Sequence, residues 1–201
     1  MSPPLNVRVS GAWVESDATG AARLAGTTIP FGPSGRGGPA QEVLAWADVP
    51  AFTNLEDGGQ SYNMGIRFQV TETLPCIGIQ WSRVPDAVLA PSGGTHQASL
   101  WDEGPTKLGS ENFVPVVGTV QDILFTGGPV TLVPATNYIA AIYTRSYVFR
   151  ASGGVYPSSP SGKVVADIGR LTPFNGGPDA IGAAPTGTSA GLFYISPIVE
   201  V

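Results

Sequence analysis

The residue types that could carry out catalysis lie together in one stretch, GTHQASLWDEG, which contains the only histidine of the chain, His96. A histidine base needs a nucleophile within hydrogen-bond reach and a carboxylate that orients its ring. Asp102 is the nearest aspartate, and along a regular strand it would lie about 20 Å from His96. We also predict no nucleophile elbow. The spacing therefore predicts that His96 is not catalytic and that the chain is not an enzyme.

The sequence offers few metal ligands and no facing pair of carboxylates. One histidine and one cysteine are too few for a zinc site, and the apolar setting TLPCIGIQW predicts that Cys76 is buried. We interpret Glu56 and Asp57, in NLEDGG, as part of a solvated turn, with calcium binding as the alternative. Asp102 and Glu103 are adjacent and are predicted to open a turn. We therefore expect no metal and no cofactor.

The composition favours a β-protein that works as part of an assembly. Of 201 residues, 27 are glycine and 19 are proline, and both types break helices. Only 12% of residues are charged, whereas 42% are hydrophobic, which is enough for a sizeable core. The net charge is −5 with no cluster of lysine and arginine, so we expect no nucleic-acid binding. No signal peptide and no transmembrane helix is predicted.

Alternating apolar and polar residues predict a succession of short strands from Met64 onward. The predicted strands include MGIRFQV, CIGIQWS, HQASLW, TVQDILF, PVTLVP, NYIAAIYTRSYVFR, GKVVADIG and GLFYISPIVEV. Glycine- and proline-rich turns separate them. The pattern predicts an all-β fold in which residues 42–201 form one jelly-roll-like β-sandwich. Whether residues 42–48 form a strand or a helix stays open.

Residues 1–41 are predicted to be an extended docking arm. The segment LNVRVSGAWV alternates like a strand, but the glycine- and proline-rich region that follows cannot form a core of its own. We expect one or two short strands in the arm, the second near residues 23–31. The apolar residues that could dock on another subunit are Val7, Val9, Trp13, Ile29 and Phe31.

A row of aromatic residues is the most plausible binding surface in the sequence. Tyr143, Arg145, Tyr147 and Phe149 occupy every second position of one predicted strand. Such a row can stack on sugars or on a partner protein. The alternative is that these side chains form a layer of the core or of a subunit interface. The candidate binding residues are Trp81, Tyr143, Arg145, Tyr147 and Phe149.

Three stretches carry a resemblance to a known family: MGIRFQVTETLPCIGIQWSR, GTHQASLWDEGPTKLGSENF and VQDILFTGGPVTLVPATNYIAAIY. Their shared features are Gly65 and Phe68, Gly78, Gly94-Thr95-His96, Leu100-Trp101-Asp102, and Pro129-Val130 with Thr136 and Tyr138. Over residues 43–201 the chain resembles the bacterial β-sandwich family called domain of unknown function 4082. The resemblance implies an extracellular binding role, often beside carbohydrate-processing domains, and no catalytic residues.

The N-terminal LNVRVSGAWV resembles the opening V-R-V-x-G-A-W of minor tail proteins from phages that infect actinobacteria. This resemblance implies a virion protein assembled in the host cytoplasm. We therefore expect a minor tail protein whose sandwich is displayed for contact with other subunits or the host surface. The alternatives are a carbohydrate-binding module, which would be extracellular, and a capsid decoration protein. The expected partners are other virion proteins, further copies of the chain in a trimer or higher oligomer, and host cell-wall glycan, without membrane insertion.

Overall fold

The computed structural model describes residues 6–9, 12–15, 21–24, 27–30, 39–46, 54–85, 88–91, 94–104, 106–150, 156–174, 183–189 and 191–201. These residues contain sixteen β-strands and no α-helix, so the predicted all-β class is confirmed. The strands are β1 (Asn6–Val9), β2 (Ala12–Glu15), β3 (Ala21–Leu24), β4 (Thr27–Pro30), β5 (Gln41–Glu42), β6 (Asn54–Val70), β7 (Leu74–Trp81), β8 (His96–Asp102), β9 (Lys107–Phe113), β10 (Gln121–Leu124), β11 (Val130–Leu132), β12 (Tyr138–Arg150), β13 (Val164–Phe174), β14 (Thr188–Ser189), β15 (Leu192–Phe193) and β16 (Ile195–Glu200).

The chain divides into two units, residues 1–39 and residues 40–201. In the first unit, β1 pairs with β2 and β3 pairs with β4, both antiparallel. The arm therefore contains four strands rather than the one or two expected. Only two residues, the second a glycine, separate the strands of each pair. Two-residue connections with glycine are typical of hairpins, and this signal distinguishes two hairpins from isolated strands.

The second unit is a β-sandwich, as predicted, built from two antiparallel sheets that pack against each other. The larger sheet has the order β14-β13-β6-β12-β8-β9, with β15 added on β12. The smaller sheet has the order β10-β7-β16-β5, with β11 added on β7. The core between them holds large side chains of both sheets, including Phe68, Leu100, Ile79 and Trp81.

The larger sheet differs from the sequence-based expectation in two places: one predicted turn is a strand, and one strand was not predicted. NLEDGG is not a turn: it forms the start of β6, where Glu56 pairs with Tyr147 and Asp57 with Ser146. A seventeen-residue strand is possible here because β12 extends along it as a matching partner. The second difference is β9, whose polar sequence KLGSENF carries no alternating pattern. It forms because it folds back on β8 as the edge of the sheet.

The segment whose structure was left open, residues 42–48, forms neither a long strand nor an α-helix where it is described. β5 ends at Glu42, and Val43–Ala45 belong to no regular element. Leu44 and Trp46 are nevertheless buried in the core. Pairing of β5 with β16 brings this segment onto the smaller sheet.

Two glycines allow neighbouring strands to approach unusually closely. A Cβ atom on Gly65 would lie 2.1 Å from the carbonyl oxygen of Ala140, and one on Gly78 would lie 2.3 Å from that of Ile123. Both distances are far below van der Waals contact. Each sheet therefore requires a residue without a side chain at this position.

Candidate functional site

His96 and Asp102 do not form a catalytic pair. The His96 ring is buried on the core side of β8 and packs against Phe113, with 5.8 Å between ring centroids. Its Nδ1 has no hydrogen-bond partner, and burial lowers the pKa of the imidazole. Asp102 instead accepts a hydrogen bond from the backbone N–H of Thr106 at 3.0 Å, which fixes the turn between β8 and β9. His96 is thus a packing residue.

The sequence does contain one G-x-S-x-G string, Gly187–Gly191, which the prediction of no nucleophile elbow overlooks. Its serine, Ser189, lies in the two-residue strand β14 and pairs with Gly169. The Ser189 hydroxyl oxygen accepts a hydrogen bond from the backbone N–H of Gly191 at 3.1 Å. A nucleophile elbow is a sharp turn from a strand into a helix, whereas here β15 follows directly.

Residues 183–187, which we call the strap, cover the part of the outer face of the larger sheet around Trp101. Trp101 is fully buried beneath it and forms an apolar cluster with Ile139, Ala141 and Ala184. The indole N–H of Trp101 donates to Ser99 Oγ at 2.8 Å, and Lys107 Nζ lies 4.9 Å from the ring centroid. A tryptophan that faces away from the main core is therefore enclosed by the chain itself.

Hydrogen bonds from the sheet hold the strap in place. Asn63 Nδ2 donates to the carbonyl oxygen of Ala183 at 2.5 Å. The guanidinium of Arg170 donates to the carbonyl oxygen of Thr186 at 3.3 Å. Because Asn63 and Arg170 lie on adjacent strands, β6 and β13, the strap is tied to both.

A network of charges on the larger sheet is organised around Arg67. The guanidinium makes two parallel hydrogen bonds with the carboxylate of Asp167, at 2.9 and 2.6 Å. Its third contact is with Glu103 Oε1 at 2.6 Å. Hydrogen bonds to Asp167 and then to Glu103 raise the pKa of Arg67 above its usual value. Such bidentate geometry is the most specific arrangement between arginine and a carboxylate.

Glu103, which follows β8, connects β6, β13 and the residue that precedes β12 through this network. Its carboxylate also accepts hydrogen bonds from Arg170, at 2.9 Å, and from the side-chain amide of Asn137. The hydrogen bonds from Arg67 and Asn137 hold the pKa of Glu103 below its usual value. The sequence predicts only that Glu103 opens a turn. Its hydrogen bonds with Arg67, Arg170 and Asn137 are not predictable locally, because these partners are distant in sequence.

The smaller sheet bears a groove of about 430 Å³ beside the end of β7. Its lining is formed by Val43–Trp46, Gln80, Ser82, Arg83, Val120 and Pro160. Trp46, one of the lining residues, packs edge-on against the buried ring of Tyr194, with 5.3 Å between ring centroids. The guanidinium of Arg83 stacks over the same Tyr194 ring at 4.7 Å.

A family model described as "Domain of unknown function (DUF4082)" matches residues 47–191. The chain belongs to the DUF4082 family. A search of curated proteins finds no match. The match agrees with the expected family, and its range lies within the residues 43–201 that carried the resemblance.

Several motif residues of this DUF4082 domain have structural explanations. Gly65 and Gly78 lie where strands approach too closely for any side chain. Gly94 adopts a φ of 75°, a left-handed conformation that favours glycine, and its N–H donates to Pro91 at 2.8 Å. Leu100 and Trp101 fill opposite faces of β8. This part of the motif therefore specifies the fold.

The candidate binding residues of the DUF4082 domain do not form an exposed row. Trp81, Tyr143 and Tyr147 are only 1%, 1% and 4% exposed. A β-bulge also interrupts the pairing of β12 with β6 between Thr144 and Ser146. Tyr147 packs in the core, whereas Tyr143 pairs opposite Asn63, which reaches out to the strap.

The remaining members of the row lie on the same strand. Arg145 is half-buried at the bulge. Phe149 pairs with Asn54 and Phe193 through the backbone, but its side chain lies outside the described residues. The three buried rings support the interpretation of the row as packing, because a buried ring cannot stack on a sugar.

Cys76 of the DUF4082 domain is buried, as the sequence predicted. Its thiol is fully enclosed, and burial raises the pKa of the thiol to about 12. Within the described ranges, no group of three or more histidine, cysteine, aspartate or glutamate side chains is arranged to hold a metal ion. No described segment forms a helix long and apolar enough to cross a membrane.

Proposed function

We propose that the chain is a phage virion structural protein, specifically a minor tail protein. In this proposal residues 1–41 dock into the tail assembly, and the DUF4082 sandwich is displayed for contact with other subunits or with the host surface. The N-terminal resemblance to minor tail proteins motivates the assignment. The division into two units at residue 39 supports a separate role for the arm.

The observation that carries the proposal is the architecture of the first unit. Its described structure consists of two hairpins whose strands are four residues long. An isolated two-stranded hairpin is at best marginally stable in water. Hairpins this short therefore gain stability when they add to another surface, and the tail supplies one.

The proposed docking residues lie mostly in these hairpins. Val7 pairs opposite Val14, Trp13 opposite Arg8 and Ile29 opposite Ala22. Val9 ends β1. Phe31 lies outside the described residues.

Virion incorporation tests the docking role of the arm. Epitope-tagged full-length chain and a chain lacking residues 1–40 would be supplied in host cells during infection, and their copies per purified particle measured by quantitative mass spectrometry. We expect the full-length chain in tails and loss of the truncated chain, although its sandwich remains folded by circular dichroism. Equal incorporation of both chains would disprove the docking role.

Point variants test whether a loss of incorporation is caused by the changed surface of the arm rather than by the shortened chain. Val9→Asp places a charge within β1 and is expected to reduce incorporation strongly. Asn6→Asp, in the same strand, is the matched control with the same added charge at a position that is already polar. If the full-length chain is absent from purified particles, the virion assignment itself is wrong.

A further inference from the structure

The loop between β9 and β10 exposes a group of valines on the sandwich. Val114 is 82% exposed, and Val116, Val117 and Val120 are each at least half exposed. We call residues 114–120 the valine loop. Exposed apolar side chains that lie together mark contact surfaces more often than isolated ones do.

The valine loop is fixed by hydrogen bonds at both ends. The side-chain amide of Gln121 donates to the Val114 carbonyl at 2.8 Å and accepts from the Val116 N–H at 2.9 Å. At the other end, the Val84 N–H donates to the Thr119 carbonyl at 3.0 Å. The exposed valines are therefore presented in one conformation, which lowers the entropic cost of association.

The valine loop and the groove meet at one residue. Val120 ends the loop and also lines the groove, and Arg83, another lining residue, immediately precedes Val84, to which the loop is bonded. A projecting apolar loop and an apolar groove thus lie side by side on one surface.

Two opposite charges on this surface have no charged partner within the described residues. The guanidinium of Arg83 stacks on Tyr194 and makes no ion pair there. Asp122 is exposed on β10, and its carboxylate accepts a hydrogen bond only from the neutral amide of Gln80, at 2.8 Å. Arg67, by contrast, is paired with two carboxylates. The surface therefore carries one available cation and one available anion.

We propose that this surface binds a second copy of the same chain about a twofold axis near Val120, with each valine loop over the groove of the other copy. A twofold axis makes each patch contact its own equivalent, so an adjacent loop and groove satisfy each other. The same operation places Arg83 of each copy near Asp122 of the other. The association is separate from the docking role of the arm and does not depend on it.

Sedimentation velocity of the full-length chain over a wide concentration range tests the association. We expect a monomer–dimer equilibrium in the wild type. Arg83→Asp and Asp122→Arg should each weaken dimerisation at least about tenfold, because each puts like charges in contact. Glu72→Arg is the control for a charge reversal outside the groove and should leave the equilibrium unchanged. Circular dichroism and thermal unfolding check that each variant is folded.

A mixture of the two charge variants makes the test specific to this geometry. In a pair formed by one Arg83→Asp copy and one Asp122→Arg copy, both contacts are again between opposite charges. The equimolar mixture should therefore dimerise more tightly than either variant does alone. Val117→Ser should weaken the wild-type dimer without changing its folding.

Each other outcome overturns the proposal. A monomer at all concentrations excludes the association. A trimer or higher oligomer excludes the twofold arrangement, and a dimer that tolerates both single charge reversals lies on another surface. A mixture that fails to dimerise, although both single variants are weakened, excludes the pairing of Arg83 with Asp122.

Discussion

The outer faces of the two sheets differ in what covers them. On the larger sheet, the strap encloses Trp101, and Arg67 is paired with two carboxylates. On the smaller sheet, a groove stays open beside exposed valines, and Arg83 makes no ion pair within the described residues. The chain satisfies the apolar and charged groups of one face by itself. In the proposed dimer, the second copy would cover the other surface.

The largest expected effect is the loss of stability that follows when a side chain is added where two strands approach closely. Gly65→Ala would place a methyl group 2.1 Å from the Ala140 carbonyl oxygen, so β6 and β12 would have to separate. We expect a loss of about 4 kcal/mol or more in the free energy of unfolding. Urea denaturation measures it. Gly127→Ala is the control, since no atom lies within 4 Å of its added Cβ, and it should change stability little.

A comparison of apolar residues on the two outer faces tests the difference directly. Trp101→Ala removes a buried side chain beneath the strap and should cost about 3–5 kcal/mol of folding free energy. Val117→Ala removes an exposed side chain of the valine loop, beside the smaller sheet, and should cost less than about 0.5 kcal/mol. Equal losses of stability, measured by thermal or urea unfolding, would show that the two faces do not differ as described.

The sequence predicted those elements whose signal is local. Alternation predicted a strand at HQASLW, which is confirmed as β8, and the apolar run around Cys76 predicted its burial. Period-two spacing also suggested that Tyr143 and Tyr147 share a face. That inference is wrong, because a bulge interrupts the pairing of β12 with β6 between Thr144 and Ser146, and the spacing within β12 does not show it.

Features that depend on pairing between distant segments were not predictable in the same way. The start of β6 contains turn-forming residues and becomes a strand because β12 extends beside it. Glu103 looks like a turn residue, and only the fold brings Arg67 and Arg170 to it. The groove likewise depends on β7, β10 and the segment after β5 meeting on one face.

A smaller effect is expected from the charge network of the covered face. Glu103→Gln removes the carboxylate that Arg67 and Arg170 share. It should lower the free energy of unfolding by about 1–2 kcal/mol and no more, because Glu103 is partly exposed and solvent screens its charge. Glu72→Gln breaks the more exposed pair with Lys163 and should cost less than about 0.5 kcal/mol. A larger loss in Glu72→Gln, measured by urea unfolding, would contradict the importance of the network.

The same network predicts a loss of stability in acid. The pKa of Glu103 is lowered in the fold, chiefly by Arg67, so the unfolded chain binds its proton at a higher pH than the folded chain does. The contribution of Glu103 is complete above the unfolded pKa of about 4.3 and is lost as the pH falls through the lower folded value. The acid-induced loss of stability should therefore be smaller in Glu103→Gln than in the wild type.

The smallest expected effect concerns a residue of the core rather than of either outer face. It is measured at a higher pH than the effect of Glu103. Burial lowers the pKa of His96, so below about pH 6.5 the unfolded chain binds a proton that the folded chain does not. Stability should be greatest above that pH and should decrease as the pH falls towards the folded pKa. Urea unfolding between neutral pH and pH of about 5, above the range in which Glu103 titrates, measures this slope. Because the chain has a single histidine, His96→Gln should abolish it, whereas Glu103→Gln should leave it intact. If His96→Gln retains the full slope, the pH dependence in this range arises from another group and the packing role assigned to the neutral ring is not supported.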